Sequence, residues 1–374
     1  MIPLITVLAQ VPDFRKSRGK RHALAAMLGL ACAAALGGAR SLTAISQWGR
    51  EHGQTVLADL GFRHFPGPCV ATLHRTFSRL DVRALEKVLT DWLQLALGIK
   101  GGLALDGKTL RGSRTASGDV VQLLAAFAQV VGVVLAEQAI NGQDELQAAL
   151  ALLQELDLRG WIVTGDARLT NKALARQVVD QHGDYVLVVK DNQPTLCEDI
   201  ATLFSEPRVV AETITTAQTI TLHGPRIEVR TLQASSALVD YCDWPGLQQV
   251  FRRERQVINK KTGTRTHEVE FGITSLPPTQ AHAQRIAALA RGHWGIENCL
   301  HWVRDVDFDE DRSRVRTGQA PQVMAAIRNT ALALLRLAGY TCIAAGLRHF
   351  ALHSTEAIKL VTEPLLVAAP AKMK

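Results

Sequence analysis

The chain has 374 residues, 47% of them apolar and 21% charged, which supplies ample core and excludes a disordered or low-complexity protein. Its formal net charge is +7, and its six cysteines (32, 69, 197, 242, 299 and 342) include no CxxC pair. That spacing argues against a disulfide framework or a zinc ribbon and fits reduced thiols in a cytoplasmic protein.

The surplus charge is uneven. Residues 1–98 hold 12 Lys/Arg against 6 Asp/Glu, and five of those bases (Arg15, Lys16, Arg18, Lys20 and Arg21) fall within seven positions. A basic module ahead of a near-neutral body is the pattern of a DNA-docking part joined to a catalytic part, although a solvated basic face has the same composition.

Residues 13–98 read as helices. Ala23 to Ala39 is an apolar run after a basic one, which mimics a signal peptide, but it begins too far into the chain and is short for a membrane span. A buried helix is the expectation. Ser41 offers a cap for the next helix, through Ile45 and Trp48. Gly61 to Pro68 is a loop. Thr72 to Leu80 then sets apolar residues at 73, 77 and 80 and places His74, Arg75 and Arg79 on other faces, like the second helix of a helix-turn-helix.

From Gly101 the pattern changes. Leu103–Leu105 is a short apolar run expected to end in Asp106-Gly107, and Val120–Ala128 and Val131–Ile140 are β-rich. Glu145–Leu158 is helical, Trp161–Thr164 is a buried strand ending at Gly165-Asp166, Thr170–Gln181 is helical, and Tyr185–Val189 is a further buried strand. This order predicts an α/β fold, a mixed sheet with helices on its faces, and is the order of ribonuclease-H-like domains. Residues 206–275 alternate instead, from Thr213 through Ile273, with a turn at Asn259–Gly263, and read as a β-rich insertion. Helical spacing returns over 279–303 and Pro321–Leu337. The chain thus divides into a helical part (1–98), a catalytic part (99–345) and a tail (346–374), loose after about 360.

Cleavage and transfer of phosphodiesters require charge to be neutralised at the attacking and the leaving oxygen, which two divalent metals held by a few carboxylates achieve. The acids must stand on rigid elements and converge. Asp106 and Asp166 stand where strands are expected to end, and Glu297 lies in a helical segment after the β insertion. Each has a plainer reading: Asp106-Gly107 as a hairpin turn, Asp166 as a helix cap, Glu297 as a surface acid. Glu310 is the reserve for the third position. Two other motifs compete. Gly102–Thr109 matches G-x4-G-K-[ST], but a strand-like Leu-Ala-Leu replaces the flexible loop of a P-loop. His293, Glu297 and His301, four apart, could face one zinc ion, yet they do not form H-E-x-x-H.

Leu105-Asp106-Gly107-Lys108-Thr109-Leu110-Arg111-Gly112-Ser113, Val163-Thr164-Gly165-Asp166-Ala167, Tyr185 to Pro194 and Arg291 to Trp302 resemble the ISAs-one branch of bacterial insertion-sequence DDE transposases, which includes the H-repeat-associated proteins. Asp13–Leu80 resembles the N-terminal domain of that family, so the likeness spans about residues 13–340. The resemblance implies a ribonuclease-H-like fold and Asp106, Asp166 and Glu297 as catalytic, metal-binding residues for two Mg²⁺ ions, with Mn²⁺ as a substitute. It implies double-stranded DNA as partner, both terminal inverted repeats and target, with a homodimer on DNA in the nucleoid and no membrane. Lys190, Asn192 and Gln193 form a polar loop expected near DNA. Lys108, Arg111, His293 and His301 are further candidate contacts, as are the five N-terminal bases. Arg304, seven residues after Glu297, stands where an apolar residue is expected; a phosphate grip and a surface arginine are its two readings. The expected activity is metal-dependent strand cleavage and transfer. The alternatives are a nuclease of the same fold without transfer and an inactive, DNA-binding relative.

Overall fold

The computed structural model describes every residue except Ile99, Asn141, Gln143, 206–213 and 366–374. The expected strand residue Thr213 and the end of the tail lie outside the described residues. In chain order the elements are α1 (Leu4–Leu8), α2 (Leu24–Leu36), α3 (Leu42–Glu51), α4 (Gly53–Asp59), α5 (Val70–Phe77), α6 (Val82–Ala96), β1 (Gly102–Leu110), β2 (Val121–Ala128), β3 (Val133–Ala139), α7 (Glu145–Gln154), β4 (Ile162–Gly165), α8 (Lys172–Asp180), β5 (Asp184–Val189) and α9 (Pro194–Ser205). They continue as β6 (Thr215–His223), β7 (Arg226–Ser235), β8 (Gln249–Asn259), β9 (Arg265–Thr274), α10 (Ala283–Gly292), α11 (Trp302–Val306), α12 (Ala320–Leu337), α13 (Ile343–Leu352) and α14 (Ser354–Thr362).

The fold is mixed α/β with two compact units. One comprises residues 1–100, 107–143 and 296–374; the other comprises 101–106 and 144–295. These boundaries differ from the division at 98 and 345 that composition indicated.

The first unit is mainly helical. Helix α2 is apolar all round and buried along nearly its whole length, the behaviour of a central core helix, and α12, α1, α3 and α14 pack on it. No helix among the described residues is long and apolar enough to cross a membrane. Helices α3 and α6 begin where the chain offers a cap: Ser41 Oγ accepts from Ala44 N–H (3.2 Å) and Asp81 Oδ1 from Ala84 N–H (3.1 Å). The β2–β3 hairpin lies against α6 and α12. The expectation of a loose end after about 360 fails as far as Thr362, because Ala357, Ile358 and Val361 of α14 are buried against the first helices.

The second unit is built on a large mixed sheet in the order β1-β4-β5-β9-β8-β7-β6. Strands β1, β4 and β5 are parallel, and their central residues are continuously apolar because both faces are covered. Strand β9 joins β5 in antiparallel register, Val186 opposite Thr274, and β8, β7 and β6 follow as a meander. The alternating stretch is therefore a continuation of the same sheet. Helix α10 covers one face, burying Ile286 and Leu289 against Val186, Leu232 and Phe251.

Candidate active site

The register of β1 and β4 sets the two aspartates. The strands pair in parallel as far as Leu105 opposite Gly165, so Asp106 and Asp166 are the next residues on neighbouring strands. At the usual strand spacing their backbones stand about 5 Å apart. Contrary to expectation, Asp106 does not end its strand; β1 runs on to Leu110, and the residue lies mid-strand where pairing with β4 stops. Its hairpin-turn reading fails for the same reason. So does the P-loop reading, since Gly107, Lys108 and Thr109 continue the strand and only a three-residue 3-10 turn comes after it.

Asp166 does act as a cap. Its Oδ1 accepts from the N–H of Arg168 (3.0 Å) and of Leu169 (3.3 Å), closing the turn Ala167–Leu169. This turn is held in place from behind. Thr170 Oγ1 donates to Asp166 O (3.2 Å) and Val188 O (2.6 Å). Asn192 Nδ2 donates to Ala167 O (2.6 Å) and Thr170 O (3.2 Å), and Gln193 Nε2 donates to Thr170 O (3.3 Å). The amides expected to face DNA are thus engaged with the carbonyls of the aspartate's own loop. Lys190 is exposed and paired with Glu270 (3.2 Å).

At the same end of the unit, His293 Nδ1 lies 3.0 Å from Thr164 Oγ1. Burial lowers its pKa, with the charge of Asp166 opposing, so the ring is neutral near pH 7. Glu145, which the chain pattern did not single out, opens α7 beside the Ala167–Leu169 turn. Burial and then the charge of Asp166 raise its carboxyl. An acid at the start of a helix reads as an ordinary dipole partner, which is why its neighbour was not foreseeable.

The remaining candidates belong to the first unit. Glu297 opens a one-turn π-helical segment, Glu297–His301. Irregular turns of this kind are frequent at functional sites. Lys108 is nearly buried and donates to Asp305 Oδ2 (2.6 Å), so its charge is matched internally. Arg111 is well exposed, 3.8 Å from Asp311. His301 is pushed down to about 3, by burial first and then by Arg304 and Lys108, and carries no charge for a phosphate at neutral pH.

Arg304 fits neither of its expected readings. Its side chain is 0% exposed. Nε and Nη2 donate to the two oxygens of Glu310 (2.8 and 3.0 Å), and Nη1 donates to Glu137 and to Asn329. Asn329 Nδ2 closes the ring on Glu137 (3.0 Å), and Arg328 Nη1 reaches Glu310 (2.9 Å). Burial opposes the charge on Arg304, yet Glu137 and Glu310 raise its pKa further than burial lowers it. The same network removes Glu310 as a reserve ligand: it is buried and already bound by two guanidiniums.

In the N-terminal run, Arg15 is committed to Asp13 (2.9 Å) and to His22 O (2.8 Å). Lys16, Arg18, Lys20 and Arg21 are exposed. Among the described residues, no group of three or more His, Cys, Asp or Glu side chains is gathered as a metal-holding set. What the second unit does bring together is a pair of hard oxygen donors, Asp106 and Asp166, a donor type that suits Mg²⁺.

Comparison with known proteins decides the family. The profile described as "Transposase DDE domain" matches residues 98–334, and the one described as "DDE_Tnp_1-associated" matches residues 5–93. The chain belongs to the DDE transposase family. "Putative transposase YncI" of Escherichia coli O157:H7 is 30% identical over 352 residues, covering 89% of this chain and 87% of that protein. "H repeat-associated putative transposase YhhI" of Escherichia coli K12 is 28% identical, covering 89% and 90%. Among solved structures, a piggyBac transposase synaptic complex with hairpin DNA aligns over 96% of this chain and 79% of its own at TM-score 0.43 and 11% identity, too distant to bear on the fold.

Proposed function

We infer that this transposase-family chain is an active enzyme that cuts DNA at the ends of an insertion sequence and joins the freed ends to a target. The observation that carries the reading is the placement of Asp106 and Asp166 side by side on neighbouring parallel strands, with a backbone-capped turn fixing Asp166. The strand order β1-β4-β5 with a meander beyond it supports a ribonuclease-H-like catalytic core. Glu297 is proposed as the third acid.

Asp106, Asp166 and Glu297 would hold two Mg²⁺, and Mn²⁺ in their place; when bound, these ions supply charge neutralisation at the attacking and leaving oxygens of an in-line displacement. The chain's own residues do the rest. Two N–H bonds on Oδ1 hold the Asp166 carboxylate in one orientation. His293, neutral and hydrogen-bonded through Nδ1, presents an uncharged ring beside it. Water is the first nucleophile, and the freed 3′-OH is the second. The DNA partner, the pairing of two chains on two ends, and the docking role of residues 1–98 belong to the same proposal.

The test is a Mg²⁺-dependent nicking and strand-transfer assay on duplexes ending in the element's inverted repeat. Wild type is expected to nick and join, whereas Asp106→Asn and Asp166→Asn should bind the duplex and fail to cut it. Nicking without joining would leave a nuclease of this fold, and full cleavage by either variant would remove the assignment.

A further inference from the structure

Between α11 and α12 the chain runs without regular structure over Ser313–Gly318, after the 3-10 turn Glu310–Arg312. Exposure alternates there. Arg312, Arg314 and Arg316 face outward, while Asp311, Ser313 and Val315 are half-buried. Alternation of this kind belongs to an extended strap lying on a surface. The strap is seated at both ends by close backbone contact. A Cβ at Gly112 would stand 2.5 Å from Ser313 O and 2.9 Å from Glu310 O, and Arg316 Nε donates to Gly112 O (3.2 Å). At the other end, Gly318 adopts φ +53°, and a Cβ there would stand 2.2 Å from Ser78 O, to which Gln319 N–H also donates (3.1 Å).

These anchors have a consequence for charge. Ser78 terminates α5, whose Arg75 is exposed, as is Arg79 just beyond it, and Gly112 sits in the turn that carries exposed Arg111. The strap therefore links two basic places through a row of arginines. Its outward charges are weakly matched: Arg312 lies 3.7 Å from Asp309 and Arg111 lies 3.8 Å from Asp311, and Arg314 has no ion pair among the described residues. Glu310, the most acidic neighbour by position, is turned into the core on Arg304 and Arg328.

We propose that Arg312, Arg314 and Arg316 form a backbone-binding track that grips the phosphates of duplex DNA. This rests on DNA being the substrate, as inferred above. From Arg312 to Arg316 the track covers four residue steps, about 13 Å, the length of about four nucleotide steps on one strand. Guanidiniums recurring on one face suit phosphate oxygens, which accept them in pairs. Such contacts fix the protein's position and carry no base sequence.

The experiment is a binding titration of full-length protein on a duplex carrying one element end, without Mg²⁺, across a salt series. Replacing all three by glutamine should weaken binding about tenfold or more at physiological salt and lower the log–log salt slope by about 2 to 3, while the three-lysine variant keeps the wild-type slope. Arg159, Arg176 and Arg265, exposed and outside residues 1–98, changed to glutamine remove the same charge elsewhere and should leave the slope unchanged. If the triple variant melts early, Arg312→Gln with Arg314→Gln spares the Arg316–Gly112 bond and should lower the slope by about 2. Wild-type affinity and slope in the glutamine variants would overturn the track. Failure of the enzymatic reading looks different: wild type would bind the duplex and never nick it in Mg²⁺.

Discussion

The two units handle acids in opposite ways. In the first, Glu137 and Glu310 are enclosed by Arg304, Arg328 and Asn329, two acids against two guanidiniums, with the network almost wholly out of water. In the second, Asp106 and Asp166 sit side by side on adjacent strands, and the bonds that hold Asp166 come from backbone N–H groups. In the first arrangement the carboxylates are already engaged by buried guanidiniums and an amide. The second is the pair for which a divalent cation is proposed above. Place in the chain does not tell an acid enclosed by guanidiniums from one held by backbone N–H groups; the partner in the fold does.

That contrast breaks first at the aspartates. Asp166→Asn keeps the cap, because an amide oxygen still accepts from Arg168 and Leu169, but removes the charge. Nicking should fall by roughly 10³-fold or more with the melting temperature nearly unchanged. Arg304→Met should do the reverse. It leaves buried Glu137 with Asn329 alone and buried Glu310 with Arg328 alone, so stability should fall by about 3–5 kcal/mol in a denaturant titration. Adding Glu137→Gln should recover part of that loss. If Arg304 were a phosphate grip, the single change would cost activity and leave stability intact.

A smaller effect comes with pH. His301 titrates near 3 in the folded chain and near 6.5 when unfolded. The unfolded state then binds a proton that the folded state refuses, so stability is full above about pH 6.5 and is lost as pH falls toward 3. The loss by pH 5 should be about 2 kcal/mol. His301→Gln should flatten this limb in melts taken between pH 7 and 5, leaving the residual slope of His22 and His293, which burial also lowers. An unchanged limb would mean that the imidazole is open to water.

Much of this was legible in the chain. The apolar runs at 103–105, 162–164 and 185–189 mark the parallel strands because both of their faces are covered, and the unbroken apolar run of 24–36 marks the central helix. That Asp106 and Asp166 come next to each other at the β1–β4 pairing was legible from acids following apolar runs. What was not legible is tertiary. An arginine seven residues past Glu297 reads as surface or ligand, and only the fold shows Glu137, far away in the chain, waiting for it. The extension of β1 past Asp106 was hidden because Gly107 and Lys108 are poor strand formers, overridden by neighbouring strands. Glu145 and the strap arginines lacked any local signal, since their meaning comes from what they sit beside.

The finest distinction concerns Asn192. Read from the chain, it belongs with DNA contacts; in the fold its amide donates to Ala167 O and Thr170 O, the two carbonyls that bracket the loop after Asp166. The two roles predict different kinetics. If Asn192 touched DNA, Asn192→Ala would weaken duplex binding and leave the turnover of bound complex alone. If it clamps the loop, the same change would leave binding alone and slow nicking within the complex, because the Asp166 carboxylate would explore more orientations. Each neutral hydrogen bond is worth about 1 kcal/mol, so removing the clamp should slow single-turnover nicking by about fivefold to thirtyfold. Asn192→Asp is the sharper variant. It has the same shape but offers carboxylate oxygens to two carbonyl oxygens, so it should be at least as slow as alanine if the amide is a clamp.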